Sequence, residues 1–265
     1  MVLGHEFCGE VVEVAPGTTT DLRRGDRVVG LPFTPGPDPL SLLTIGLTVE
    51  RSGGLADLSR LDAVRSFRVP DSVSSDLASL TEPLAVGRHA IGLANRFAGP
   101  NIILGCGPIG LAVLLALRDE GRGPIIAADF SKERREMAAM LGADIVIDPA
   151  ERSPYTAWAE VGFAPDPVSP LLEREFAGTP RGLNIFECTG APSVLREITE
   201  NAPLHSHVIY VGVCMHEAPH VPVNGVIREL TIEYSFAYTP QKSAAVVQRL
   251  VDADRKSTRL NSSHV

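Results

Sequence analysis

Cysteine is scarce in this chain, and so are aromatic residues: its 265 residues include four cysteines, one tryptophan and 5% aromatics. Cys8, Cys106, Cys188 and Cys214 show no CxxC spacing. That pattern excludes a disulfide framework and points to reduced thiols, and so to the cytoplasm. No apolar run reaches the roughly eighteen residues of a membrane span. No basic stretch leads into an apolar one, as a signal peptide requires. Positive charge is also short: 24 Lys and Arg stand against 32 Asp and Glu, a net charge of −8. Phosphate binding needs a basic face, so neither nucleic acid nor an anionic membrane is expected as a partner. The 44% apolar and 21% charged residues that remain suit a soluble globular protein. The length suits one large domain or two modest ones.

The middle of the chain alternates short apolar runs with helical periodicity. Strands are expected over 101–105, 124–129, 145–147, 184–188 and 207–212. Helices are expected over 108–121, 131–142, about 170–177 and 192–200, with a Pro- and Ala-rich loop over 150–170. Pro108 suits a first helical turn, Ser131 an N-cap and Gly142 a helix stop, with Met137 and Leu141 on the buried face between them. Such alternation demands a doubly wound parallel sheet with helices on both faces. The first 80 residues differ: short β-type runs at 9–14 and 26–29 are separated by Gly- and Pro-rich turns. They read as an irregular β domain ahead of the α/β unit.

Gly105-Cys106-Gly107-Pro108-Ile109-Gly110 fits GxGxxG. It follows one expected strand, opens a helix, and precedes a second strand that ends at Asp129, which is the context of a dinucleotide fingerprint. The glycines allow a tight turn and close approach to a pyrophosphate, and the helix N-terminus supplies free amides. Asp129 would accept from the ribose hydroxyls and repel a 2′-phosphate, which favours NAD over NADP, although Lys132, Arg134 and Arg135 lie nearby. A glycine turn that only packs helix on strand, or an S-adenosylmethionine site, are the alternatives.

Gly4-His5-Glu6 opens a segment that resembles the GHE signature of zinc-containing medium-chain alcohol dehydrogenases. Gly25-Asp26-Arg27-Val28-Val29 looks like that family's GDRV turn, and Gly53-Gly54-Leu55-Ala56-Asp57 like its GGFAEY element. Glu82-Pro83-Leu84 is similar to the EPL segment of the polyol and threonine dehydrogenase branch. The glycine loop, Glu187-Cys188-Thr189-Gly190 and Val211-Gly212-Val213 follow in order, so the likeness spans residues 4 to about 250.

The resemblance implies a Rossmann NAD-binding domain at 88–236 and a GroES-like catalytic domain at 1–87 that lacks its N-terminal part. It also implies a return segment at 237–254, where Ala244, Val247, Leu250 and Val251 are spaced as one helix face that stops at Asp252-Ala253-Asp254. The expected activity is hydride transfer between a secondary alcohol or polyol and NAD. A catalytic Zn²⁺ would lower the pKa of the substrate hydroxyl. Carried over residue by residue, His5 and Glu82 are zinc ligands, and Glu6 is a ligand or its supporting partner. Neighbouring strand residues face opposite ways, so joint binding by His5 and Glu6 needs irregular backbone. Thr189 and Val213 match positions near the nicotinamide, and a homodimer or homotetramer is implied.

Two departures stand out. The family's further zinc-ligating cysteine, about two dozen residues before GHE, has no counterpart here, and a chain that binds NAD but turns over poorly is therefore expected. Residues 30–53 hold no cysteine, so no structural zinc is expected. Cys8 is expected to pack as a small apolar group, and Cys214, His216 and His220 form a weak alternative metal cluster. Residues 255–265 resemble a translated adapter, with a native disordered C-terminus as the alternative. A zinc-free quinone-type reductase, or a non-catalytic or methyltransferase-like nucleotide module, are the competing readings.

Overall fold

The structure, a computed structural model, describes residues 1–38, 41–163 and 182–262. It divides into two units, Met1–Ala85 with Tyr238–Val265, and Val86–Ala237. No helix among the described residues is long and apolar enough to cross a membrane.

The first unit holds β1 (Gly9–Glu10), β2 (Arg27–Gly30), β3 (Phe33–Pro35), β4 (Leu42–Thr44) and β5 (Ser66–Arg68). β1, β2 and β5 form an antiparallel sheet, and β3 pairs antiparallel with β4. The strand expected over 9–14 shrinks to two residues, although Val11 still donates to the Asp26 carbonyl at 2.9 Å. Helix α1 (Ser75–Ser79) follows, capped by the Ser74 side chain, and then α2 (Thr81–Leu93), within which the chain leaves this unit.

The C-terminal helix, Pro240–Ser262, returns to the first unit. Its Val247 and Val251 pack with Val29, Val69, Val73 and Ala78. Ser243, not the expected Ala244, lies on the buried side. The helix also runs past Asp252-Ala253-Asp254, because no Gly or Pro after Pro240 interrupts its hydrogen-bond ladder.

The second unit is built on β6 (Asn101–Leu104), α3 (Pro108–Asp119), β7 (Ile125–Ala128), α4 (Lys132–Met140) and β8 (Ile145–Ile147). β9 (Asn184–Glu187), α5 (Val194–Asn201), β10 (His207–Tyr210), α6 (Pro222–Ile227) and β11 (Thr231–Tyr234) complete it. All six strands are parallel, in the order β11-β10-β9-β6-β7-β8. β6, β7, β9 and β10 are buried at every residue, which explains their unbroken apolar runs.

Alternate residues feed two cores. Ile103, Ile125, Phe186 and Ile209 pack on the side that also takes Val113, Leu117 and Ala138. Ile102, Ile126, Ile185 and Val208 pack on the other, with Trp158 and Ile198. Ala138, rather than the expected Met137, is the buried residue of α4; Met137 is 41% exposed. A 3-10 segment, Pro154–Val161, occupies part of the expected loop because Tyr155, Ala157 and Trp158 supply an apolar face to the sheet. The helix expected near 170–177 lies outside the described residues.

Candidate functional site

Residues 1–8 form no strand, and Gly4 takes φ +101°, a left-handed conformation that suits glycine. The segment is stitched to residues 53–55. Gly53, Gly54 and Leu55 donate their amides to the carbonyls of Val2 (2.9 Å), Gly4 (2.8 Å) and Leu3 (3.1 Å). A Cβ on Gly53 would stand 2.2 Å from the Leu3 oxygen, and one on Gly46 would stand 2.3 Å from the Gly4 oxygen. Gly53 therefore lets two backbones touch, and Gly54 makes room for the Phe7 side chain, 2.8 Å from where its Cβ would stand. Irregular backbone of this kind lets adjacent side chains reach one place.

His5, Glu6 and Glu82 each offer a ligand atom, and these atoms lie within 4.8 Å of one another. Glu82 stands in the first turn of α2, and its carboxyl is pushed up to about 7, first by burial and then by the Glu6 charge. Tyr238, in the same unit, lies beside it. The phenol meets no partner at good hydrogen-bond geometry, yet burial and the Glu82 and Glu6 charges keep it protonated. The sequence had not marked Tyr238, whose one local signal is the alternation of Tyr234, Phe236 and Tyr238, a strand-like pattern that does not single it out.

One imidazole and two crowded carboxylates suit a divalent cation, which would relieve the carboxylate repulsion. Ligands about 2 Å from zinc stand at most about 4 Å apart, so closing on an ion needs a shift under about 1 Å. No other group of three such residues is found among the described residues, Cys214, His216 and His220 included. Cys8 packs against the Val29 core, with its thiol pushed up by burial. The Cys214 thiol donates to the His216 carbonyl at 3.3 Å.

In the second unit, β6 ends at Leu104, and Gly105 turns the chain with φ +92°. Gly107 is the N-cap of α3 and offers no side chain, so the helix presents bare amides there. A Cβ on Gly110 would stand 1.8 Å from the Gly105 carbonyl oxygen, while one on Gly107 meets only Arg134 Nη1, at 4.0 Å. Pro108 and Ile109 form the first turn between them, with Pro108 needing no amide partner.

Asp129 follows β7 and is 9% exposed. Its Oδ2 accepts from the Cys106 amide at 2.7 Å and its Oδ1 from the Ser131 amide at 2.8 Å. This ties the acid to the loop that it would serve. Arg134 Nη1 lies 3.8 Å from Asp129 Oδ2, and Arg135 donates to the Asp129 and Phe130 carbonyls. Burial, with the Asp129 charge second, pushes the Cys106 thiol up to about 12, so it is no nucleophile at neutral pH. Thr189 sits after β9 and Val213 after β10, both exposed, Val213 at 81%. An open glycine turn, bare helix amides and an anchored acid fit a dinucleotide.

Residues 1–71 match the family model described as alcohol dehydrogenase GroES-like domain, and residues 108–252 match that described as zinc-binding dehydrogenase. (R,R)-butanediol dehydrogenase of Bacillus subtilis (strain 168) is 33% identical over 247 residues, which is 90% of this chain and 66% of that protein. L-threonine 3-dehydrogenase of Bacillus licheniformis is 32% identical over 243 residues, 88% of this chain and 65% of that protein. The crystal structure of 2R,3R-butanediol dehydrogenase from Bacillus subtilis superposes with a TM-score of 0.71 at 31% identity, covering 94% of this chain and 68% of that one. The chain thus spans about two thirds of the length of the curated relatives that it matches.

Proposed function

The chain belongs to the zinc-binding dehydrogenase family, and from that premise we propose that it transfers hydride between a secondary alcohol or polyol and NAD. The convergence of His5, Glu6 and Glu82 from distant parts of the sequence carries this reading. These three residues would hold the zinc. Gly105, Gly107, Pro108, Ile109, Gly110, Asp129, Thr189 and Val213 would hold the nucleotide. When bound, zinc would supply Lewis-acid polarisation of the substrate hydroxyl, and the nicotinamide would supply the hydride acceptor.

The chain's own groups do the rest. His5 and Glu6 are positioned by the Gly4 turn, and Tyr238 keeps a protonated phenol beside Glu82. The bare amides of α3 would hold the pyrophosphate, and Asp129 would disfavour a 2′-phosphate. Butanediol and threonine dehydrogenases among the relatives support a small secondary alcohol or diol as substrate. The same kinship supports a homodimer or homotetramer.

Metal analysis and NADH titration of the purified full chain test this reading. One zinc per chain is expected, lost in His5→Ala and Glu82→Ala, with tighter binding of NADH than of NADPH. A metal-free chain that reduces quinones with NADPH would instead favour the zinc-free reductase reading.

A further inference from the structure

The strand order runs outward from the β6/β9 pair, to β7 and β8 on one side and to β10 and β11 on the other. Loops leaving the carboxyl ends of such a pair diverge and open a crevice, where open α/β sheets take their ligands. One wall is the glycine loop with Asp129, the part suited to pyrophosphate and adenosine ribose. The remainder of a dinucleotide must then extend across the reversal, over the ends of β9 and β10. That second wall is organised by one buried acid that the nucleotide motif does not include.

Glu187 ends β9, in register with Leu104 of β6 and Tyr210 of β10, and is 0% exposed. Its Oε1 accepts from the Thr189 amide at 2.8 Å, the Gly190 amide at 3.0 Å and the Thr189 hydroxyl, and its Oε2 lies 3.3 Å from the Gly190 amide. Its main-chain carbonyl accepts from Val211 and Gly212, both at 2.9 Å. Three glycines make room around it. A Cβ on Gly212 would stand 2.5 Å from Glu187 Oε2, and one on Gly190 (φ +65°) 2.6 Å from the Val213 carbonyl oxygen. One on Gly105 would stand 2.8 Å from Thr189 Cγ2, so the two walls touch here.

Burying a carboxylate is costly, and here N–H and O–H donors offset the cost; among the described residues no lysine or arginine pairs with it. The arrangement spends a charge on the shape of a turn.

We propose that Glu187 is a positioning residue for the nucleotide: from inside the sheet it gathers the donors of Thr189 and Gly190 and so fixes the turn that receives the nicotinamide. The proposal rests on the nucleotide reading above. Glu187→Gln tests it, because an amide nitrogen in place of Oε2 would set a donor against the Gly190 amide. The readouts are dissociation constants of the full chain for NADH and for ADP-ribose, which lacks only the nicotinamide, together with the urea midpoint.

E187Q is expected to weaken NADH binding about tenfold while leaving ADP-ribose within about twofold, since one unsatisfied buried donor is worth about that much. A general loosening of the fold would weaken both ligands alike. Should E187Q not fold, Thr189→Val, which removes the hydroxyl contact to Glu187 and the bond that the hydroxyl accepts from the Ala191 amide, is expected to give the same split with a smaller amplitude. Wild-type chain that binds neither ligand would overturn the nucleotide reading itself. Wild-type chain that binds both, with variants that weaken both equally or neither, would overturn the role of Glu187 alone.

Discussion

His207 opens β10 with a side chain only 1% exposed. Its Nε2 lies 3.1 Å from Glu233 Oε2, and its Nδ1 meets no protein partner. Asn184, its register mate on β9, donates to Asn101 Oδ1 at 3.0 Å but leaves its own Oδ1 unpartnered. Burial holds the imidazole below its ordinary value of 6.5; the Glu233 carboxylate opposes this and the Arg96 charge adds to it. The unfolded chain therefore takes up this proton at a higher pH than the folded one. The stability that His207 contributes is present above pH 6.5 and is lost as the pH falls from there toward the depressed folded value. Urea midpoints at pH 7.5 and about pH 5.5 should fall further for wild type than for His207→Gln. Equal losses would remove His207 as the cause.

The strand-turn-helix element from β6 to α3 separates two uses of glycine. Gly110 lets the helix lie against the turn, since its missing Cβ would stand 1.8 Å from Gly105 O. Gly107, at φ −70°, has open space beside it. Gly110→Ala should cost about 1–3 kcal/mol of stability, the usual penalty of forced overpacking, and should weaken NADH binding as well. Gly107→Ala should leave the melting temperature nearly unchanged and still weaken NADH binding, because its new methyl occupies the pyrophosphate's approach. A thermal melt and a fluorescence titration of each variant separate the two, and a G107A chain that binds NADH normally would refute the assignment.

At this scale the motif was legible because backbone demands are local. A tight turn needs glycine and a helix start tolerates proline wherever they occur. The burial of Ala138 in place of Met137 was not legible: the two are neighbours in the sequence, and only packing against the core decides which one enters.

For the whole molecule, each proposed ligand belongs to its own unit: the metal to 1–85 with 238–265, and the dinucleotide to 86–237. Hydrogen exchange followed by mass spectrometry should register this division. NADH at about a hundred times its Kd adds about 2.7 kcal/mol to whatever opens the site, and should slow exchange most in β6, β7 and β9. Chelation should instead speed exchange in residues 1–8, 46–55 and the first turn of α2. Reversed or uniform effects would reassign the ligands.

Local order was written in the chain itself: which runs become parallel strands, where α3 and α4 begin, and where a helix opens on bare amides. Those outcomes follow from periodicity, caps and φ demands that act within a few residues. His5, Glu6, Glu82 and Asp129 could be named in advance, the first three through likeness to a family and the last through its place after a strand. Convergence was decided only by tertiary structure. That Gly53 and Gly54 hold the His5 segment, that Tyr238 stands beside Glu82, and that Glu187 serves two residues beyond itself all depend on contacts closed by the whole chain. No local rule of side-chain period or backbone angle encodes which distant groups will share a dielectric or a hydrogen bond.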